Sequence, residues 1–466
     1  MERREETLDD AAAAQPRPVD EVPGEPAQTP SAAGSKDSPV RGQMGIAVLM
    51  VLICLAMLAP FTASFNYQSR VDWQSAINVR DEVAARQVQR GAMQLSLLLF
   101  EIQRMVFNQK QFRDFMGNWD ITQVAPYLMS VFGTEDGAEG LGALAGVDTS
   151  AFGDLAIEGG SFEYRVYAES GKINVNCLAK QPAKAGARNN PAGRTVESLE
   201  ALMLPTIYNP LFEEEKADGQ FYTRTQILQG MADYIDDDTQ GFDLVKLRST
   251  SGSERYRYSE LHDPYQARNG YLDSVEELHL VEGIDDDWMA AFGHELTTYG
   301  ECKVNINFAS AEQIALVIRH SVENQFRDKV EGENFLLKVM PLANYVVESR
   351  EFSLFQDLEG FKEMVSKPDQ FISPLAALGG DVEDNQNLPR IPEGIPVKIR
   401  PPQGEDSEEG SGGLTEVATV KPERTYTIEV ITEVGAVTKR LTATYDMQYA
   451  RSQTQGKGAW LYIRED

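Results

Sequence analysis

Histidine and cysteine are scarce, with four and three residues in a chain of 466. Neither a Cys-x-x-Cys pair nor a Cys/His spacing suited to zinc occurs. His294-Glu295 opens an HExxH motif, but Thr298 stands where the second histidine belongs. His262, His279 and His320 show no ligand spacing and read as surface or satisfied core side chains. A GxSxG nucleophile elbow and a GxxxxGK(S/T) phosphate loop are also missing. No catalytic constellation remains, and the chain reads as a non-enzyme. Cationic residues are few as well: 43 Lys and Arg stand against 72 Asp and Glu, a net charge of −29. Such a surface repels phosphodiesters and anionic lipid, which argues against nucleic acid as a partner and suits divalent cations. Of the cysteines, Cys54 falls in an apolar run. Cys177 and Cys302 lie outside it, as one disulfide or as two small buried thiols.

What the chain does have is that apolar run. From Gly45 to Phe65 no charged residue occurs, and about twenty residues of helix cross the ~30 Å hydrocarbon core of a bilayer. A cleavable secretory signal has a shorter apolar region ending in small residues. This one begins beyond residue 40 and continues into helix-forming sequence. Charge alone does not fix its orientation, since Lys36 and Arg41 precede it and Arg70 and Arg80 follow. Ahead of it, an Ala-, Pro-, Glu- and Ser-rich leader holds too few large apolar side chains to fold.

Beyond the run, Ile77, Ala84, Val88, Ala92, Leu95, Leu99, Ile102 and Val106 form one apolar stripe at helical spacing. They predict a continuous helix to about residue 116, its outer half packed on a globular domain. A Gly-rich loop covers 133–150. Next, Phe162, Tyr164 and Val166 alternate with Glu163, Arg165 and Tyr167, and Glu169-Ser170-Gly171 suggests the turn of a β-hairpin. From Val196 to about Ser373 the pattern is mainly helical. One phrase recurs, as Lys172-Ile-Asn-Val-Asn and Lys303-Val-Asn-Ile-Asn, and Ser310 with Gln313 can cap the helix after the second. An acidic linker at 404–413 precedes three alternating segments that read as antiparallel strands.

Strands thus open and close the part beyond the membrane, with helices between. The fold class is α+β: a long N-terminal helix on an antiparallel sheet, with a large helical domain inserted between strands. The expected divisions are leader 1–45, membrane half 46–65, and helix with first sheet part 66–177. After these come the insert 178–395, linker 396–414 and closing strands 415–466.

The acidic clusters separate into two kinds. Gly283-Ile-Asp-Asp-Asp-Trp reads as a helix start whose aspartates complement the dipole. Asp236-x-Asp238-x-Gln240-Gly241 matches half of an EF-hand loop, but Leu247 occupies its twelfth position, so an EF-hand is rejected. Oxygen ligands from separate loops can still gather a Ca²⁺.

In order along the chain, GIAVLMVL, ESGKINVN, DYIDDD, GSERYRY, PYQARNGYLDSVEELHLVEGID and KVNINFASAEQIALV resemble the K-type minor pseudopilins of type II secretion systems. The resemblance implies the pilin-like form of that α+β fold, with its helical insert. It implies Ca²⁺ in the insert, held by Asp236, Asp238, Glu254, Asn269 and Asp273. It also implies removal of the leader by prepilin peptidase between Gly45 and Ile46, with Gly42–Gln43 as second choice. A single-pass protein of a Gram-negative inner membrane follows, its bulk periplasmic. The implied partners are other minor pseudopilins, the major pseudopilin and the inner-membrane secretion platform. Two other classes compete. A membrane-anchored hydrolase lacks its nucleophile and ligands. A helix–hairpin–helix nucleic-acid binder is suggested by VEGID and VNINFASAEQI, but Glu282, Asp285, Asp286 and Asp287 crowd the turn that phosphate would need.

Overall fold

The computed structural model describes residues 43–116, 118–125, 160–179, 190–216, 219–237, 239–244, 248–253, 258, 264–351, 353–370, 391–400, 412–448 and 458–466. Most of the leader, the loop 133–150 and most of the acidic linker lie outside them. The chain divides into two units, Met1–Trp73 and Gln74–Asp466.

In the first unit the described residues are helical, the start of α1 (Gln43–Ile102). Side chains from Gly45 to Trp73 are all exposed. Among the described residues this is the one helix long and apolar enough to cross a membrane.

In the second unit, α1 contributes Ala92, Leu95, Leu99 and Phe100 to a core with one face of a four-stranded sheet. The sheet's order is β1 (Gly160–Ala168), β8 (Thr425–Val434), β9 (Val437–Asp446), β10 (Ala459–Glu465), all antiparallel. Tyr164 and Val166 face the core as the alternation requires, and Tyr426, Ile428 and Val430 meet them from β8. Phe100 stacks on Tyr445 at 4.8 Å between ring centres, and Ser96 Oγ lies 2.9 Å from the Tyr164 hydroxyl. A two-residue turn joins β8 to β9, with Gly435 at φ +59°, a backbone geometry natural to glycine.

Two expectations fail here. The helix does not run unbroken to residue 116. It passes through a π-turn, Gln103–Phe107, breaks at Asn108 and resumes as α2 (Lys110–Met116). A π-turn inserts one residue and rotates the following face out of phase. Gln103, four residues after Leu99, stays on the buried face at 1% exposure, whereas Val106, assigned to the apolar stripe, is turned out to 39%. The hairpin at Glu169-Ser170-Gly171 is also absent. These residues make a 3₁₀ turn that leads the chain out of the sheet, and β1 pairs with β8 instead, Ala168 opposite Tyr426. A Cβ on Gly171 would strike the Phe308 carbonyl, so the turn is pressed against the insert rather than folded back.

The insert has its own core, drawn from Ile173 to Ala418. That is wider than 178–395, because Val397, expected in a linker, is buried there. Its helices are α3 (Pro191–Met203), α4 (Arg224–Ile235), α5 (Asp286–Phe292), α6 (Ala311–Ser321), α7 (Phe335–Arg350) and α8 (Leu358–Ser366). Most start on side-chain caps: Asn190, Thr223, Asp285, Ser310 and Asp357 each accept a backbone N–H of the first turn. Short strands lie between them. β2 (Ile173–Asn174) pairs parallel with β5 (Leu296–Thr297), and β6 (Val304–Asn305) pairs parallel with β7 (Ala418–Thr419). β3 (Gln240–Asp243) and β4 (Arg248–Ser253) form an antiparallel pair.

Candidate functional site

The two copies of the recurring phrase do the same work twice. In each, the first asparagine accepts the backbone N–H two residues on: Asn176 to Asn174 at 3.0 Å, Asn307 to Asn305 at 3.1 Å. Its amide then donates to carbonyls beyond the paired strand, Tyr299 and Gly300 for Asn174, Lys421 for Asn305. The second asparagine grips both backbone groups of a distant residue. Asn176 accepts from Leu272 N–H at 2.7 Å and donates to Leu272 and Thr298 carbonyls at 3.0 Å. Asn307 accepts from Phe355 N–H at 2.8 Å and donates to its carbonyl at 3.0 Å. Buried amide side chains here replace the ladder bonds that two-residue strands cannot make.

The first grip fixes the loop that carries two expected calcium ligands. α4 is set by a capping box at Thr223 and ends at Asp236, whose N–H donates to Ala232 O. One turn back, the Tyr234 carbonyl accepts the N–H of Asn269 at 3.1 Å. Asn269 takes φ +49°, a left-handed geometry asparagine tolerates better than most residues. Asp236, 1% exposed, and Asn269 therefore share one neighbourhood. Asp273 stands apart from it: its side chain is 88% exposed and bonds Arg268 at 2.6 Å. Arg268 bridges to Glu277 as well. Asp238 and Glu254 lie outside the described residues.

A buried carboxylate beside a carboxamide is a hard-oxygen donor set suited to Ca²⁺, which takes six to eight such ligands. Asp233 does not join it freely, since its carboxylate accepts the Phe242 N–H at the start of the β3–β4 pair. Among the described residues no three His, Cys, Asp or Glu side chains gather as a metal centre.

Cys177 and Cys302 are joined as a disulfide, with Cα atoms 5.7 Å apart. The bond lies beside the β2–β5 pair. Together they close the segment from Gly171 to Gly300 on itself.

That segment has a match. Residues 171–300 fit the family model of type II secretion system (T2SS), protein K. This stretch is similar to the protein K family. Its boundaries fall close to the β2–β5 pair and the disulfide, within the larger insert. Curated proteins give no match to the chain. Among solved structures, the crystal structure of the GspK-GspI-GspJ complex from the enterotoxigenic Escherichia coli type 2 secretion system is similar at 14% identity and a TM-score of 0.37. That likeness covers 66% of this chain and 81% of that one.

Several polar groups around the protein K segment carried no sequence signal, because their partners are far apart in the chain. His320 on α6 is held between Glu197 of α3, at 3.3 Å, and Glu416, at 3.6 Å. Burial pulls its imidazole down, but hydrogen bonding to these carboxylates and their charge prevail and lift it to about 9. Arg350, buried at the end of α7, donates to the carbonyls of Ile306 and Ala309, and burial lowers it to about 10. Where the chain re-enters the sheet, Glu423 accepts the N–H groups of Ser170, Arg424 and Thr425 and the Ser170 hydroxyl. Desolvation outweighs these donors and pushes its carboxyl up to about 7. His294 is exposed, and its neighbour Glu295 is occupied by Ser310 and Gln313. The broken HExxH is a structural brace.

Proposed function

We propose that the chain is a minor pseudopilin of a type II secretion system, present singly at the pseudopilus tip. There it starts or caps assembly and supports export of folded proteins across the outer membrane. The observation carrying this reading is the protein K segment itself, built as an insert between β1 and β8 of a helix-on-sheet body.

The membrane end supports it. Cleavage between Gly45 and Ile46 puts Met50 at mature position 5. A Glu at this position in other pseudopilins would neutralise a neighbour's N-terminal ammonium. An unpaired charge at membrane depth is costly. Met50 cannot offer that pair, although the chain's own amine can still seek one. Assembly is then one-sided, and the insert obstructs a subunit from stacking above. The chain sits in the inner membrane with its bulk periplasmic, on other minor pseudopilins and then the major one. Prepilin peptidase processes it and the inner-membrane platform receives it. Its role is structural rather than catalytic. Asp236 and Asn269, with Asp238, Glu254 and a released Asp273, hold Ca²⁺, which draws mutually repelling loops together.

The test is to label the periplasmic part of the unmodified protein for electron microscopy of isolated pseudopili. One label at an end is expected; regular labels along the shaft refute the reading. N-terminal sequencing of membrane-extracted protein should begin at Ile46. An intact Met1, or cleavage near Ala63, counts against it.

A further inference from the structure

The buried apolar residues of the second unit form two separate clusters. One belongs to the helix and sheet, the other to the insert. Among the described residues, Phe308 is the one insert side chain that packs against the sheet cluster, and it is only partly buried. Between the two lies a cavity of mixed lining, where Gln103, Asn118 and Asp120 stand beside Phe107, Trp119 and Leu354. Bodies that meet without a shared apolar core are free to move on one another.

Among the described residues, hydrogen bonds join them at two ends, and beside the first Thr297 Oγ1 donates to Glu169 Oε2 at 2.6 Å. At one end the outgoing and returning chains cross, and Glu423 binds Ser170. At the other, side-chain amides reach backbone carbonyls. Asn118 Nδ2 donates to Phe355 O at 3.1 Å, beside a bridge between Asn118 and Leu354. Gln123 Nε2 donates to Arg350 O at 3.3 Å and Glu351 O at 3.1 Å. The insert braces the far side of the same segment, Asn307 gripping Phe355 and Arg350 binding Ile306 and Ala309. The receiving surface is thus rigid, while the contact across the gap is made by the Asn118–Leu354 bridge and by two side chains from the helix-and-sheet side.

We propose that the insert moves as a rigid body on the helix-and-sheet body, pivoting at Ser170–Glu423 and latched shut by Asn118 and Gln123. The latch lets the pose of the insert change without unfolding either core.

The test uses the full-length protein in detergent with the Cys177–Cys302 disulfide intact and Cys54→Ser. Spin labels go on the exposed positions Glu433→Cys and Leu337→Cys, and pulsed electron resonance measures the distance between them. The parent should give one narrow distance. Asn118→Ala with Gln123→Ala should add a second, the open fraction rising about fivefold to tenfold for each amide lost. Gln123→Glu, which turns a carboxylate onto two carbonyls, should open the latch in the same way. Hydrogen exchange of α6 and of β8 should stay as protected as in the parent. An unchanged single distance in both variants overturns the proposal. So does joint loss of protection in α6 and β8, which would make the two bodies one cooperative unit.

Discussion

The ion triad at His320 makes a quantitative claim about pH. An imidazolium between Glu197 and Glu416, lifted from 6.5 to about 9, stabilises the fold fully below pH 6.5, and the contribution disappears as pH rises through 9. Linkage puts it at about 3 kcal/mol at most, with most of that still present at pH 7. Arg194 also feels the charge of Glu416 and Arg319 that of Glu197, with burial lowering both; both stand in parent and variant, so they drop out of the difference. The perturbation is His320→Gln, neutral at every pH. Urea unfolding of the unit Gln74–Asp466, with the disulfide intact, is followed from pH 6 to pH 10 for both proteins. Their difference should be largest near pH 6 and shrink to a small constant above pH 9. Taking the difference also cancels Glu423, whose raised carboxyl removes stability between about pH 4.5 and 7 as it ionises. A gap that is flat across the whole range, or a His320 ring titrating near 6.5 by NMR, would show that the carboxylates do not hold the proton.

Three further outcomes follow from the same packing. Reducing the Cys177–Cys302 bond frees a separation of 125 residues, which the chain-entropy model values at about 5 kcal/mol; the denaturation midpoint should fall with reductant, and equal midpoints would remove the bond from the account of stability. Asn307→Ala leaves the buried Phe355 N–H without its acceptor and its carbonyl without one donor, so about 2–4 kcal/mol of stability should be lost, with Asn176→Ala similar; a loss under ~0.5 kcal/mol in both would mean the grips are incidental. Calcium at a hundredfold excess over its Kd should stabilise the unit Gln74–Asp466 by ~2.7 kcal/mol, with Asp236→Asn abolishing the shift; superimposable melts with Ca²⁺ and with chelator would end the calcium proposal.

Local periodicity made much of this fold legible. The alternation in β1 turns Tyr164 and Val166 inward, the closing segments are strands as their alternation implies, and Val88, Ala92, Leu95 and Leu99 are buried as their spacing requires. Ser310 and Asp285 cap the helices expected of them. What periodicity could not supply was connection. Glu169-Ser170-Gly171 has the composition of a hairpin turn, yet β1 finds its partner only after the whole insert, because tertiary pairing overrides turn propensity. The π-turn has no compositional mark, so the stripe was carried through Val106. The recurring asparagines were visible as a pattern, but their roles depend on Leu272 and Phe355, which no spacing rule connects to them. In the calcium region the sequence brings Asp236 and Asn269 together through Tyr234, while Asp273 is claimed by Arg268, a partner only five residues away that acidic spacing alone ignores.

The hydrogen bond between Ser170 and Glu423 spans 253 positions of sequence, and it sets the order in which the molecule can be made. For a flexible chain, bringing β1 to β8 would mean closing a very long loop before any ladder bond formed, a slow step that leaves strand edges exposed. A folded insert abolishes that search. Once its two ends lie side by side, β1 and β8 meet as the arms of a short hairpin whose turn is an entire domain. Maturation then proceeds from the middle outward. A lesion that merely slows folding of the insert will appear as a sheet that never closes, even though it touches no residue of the sheet.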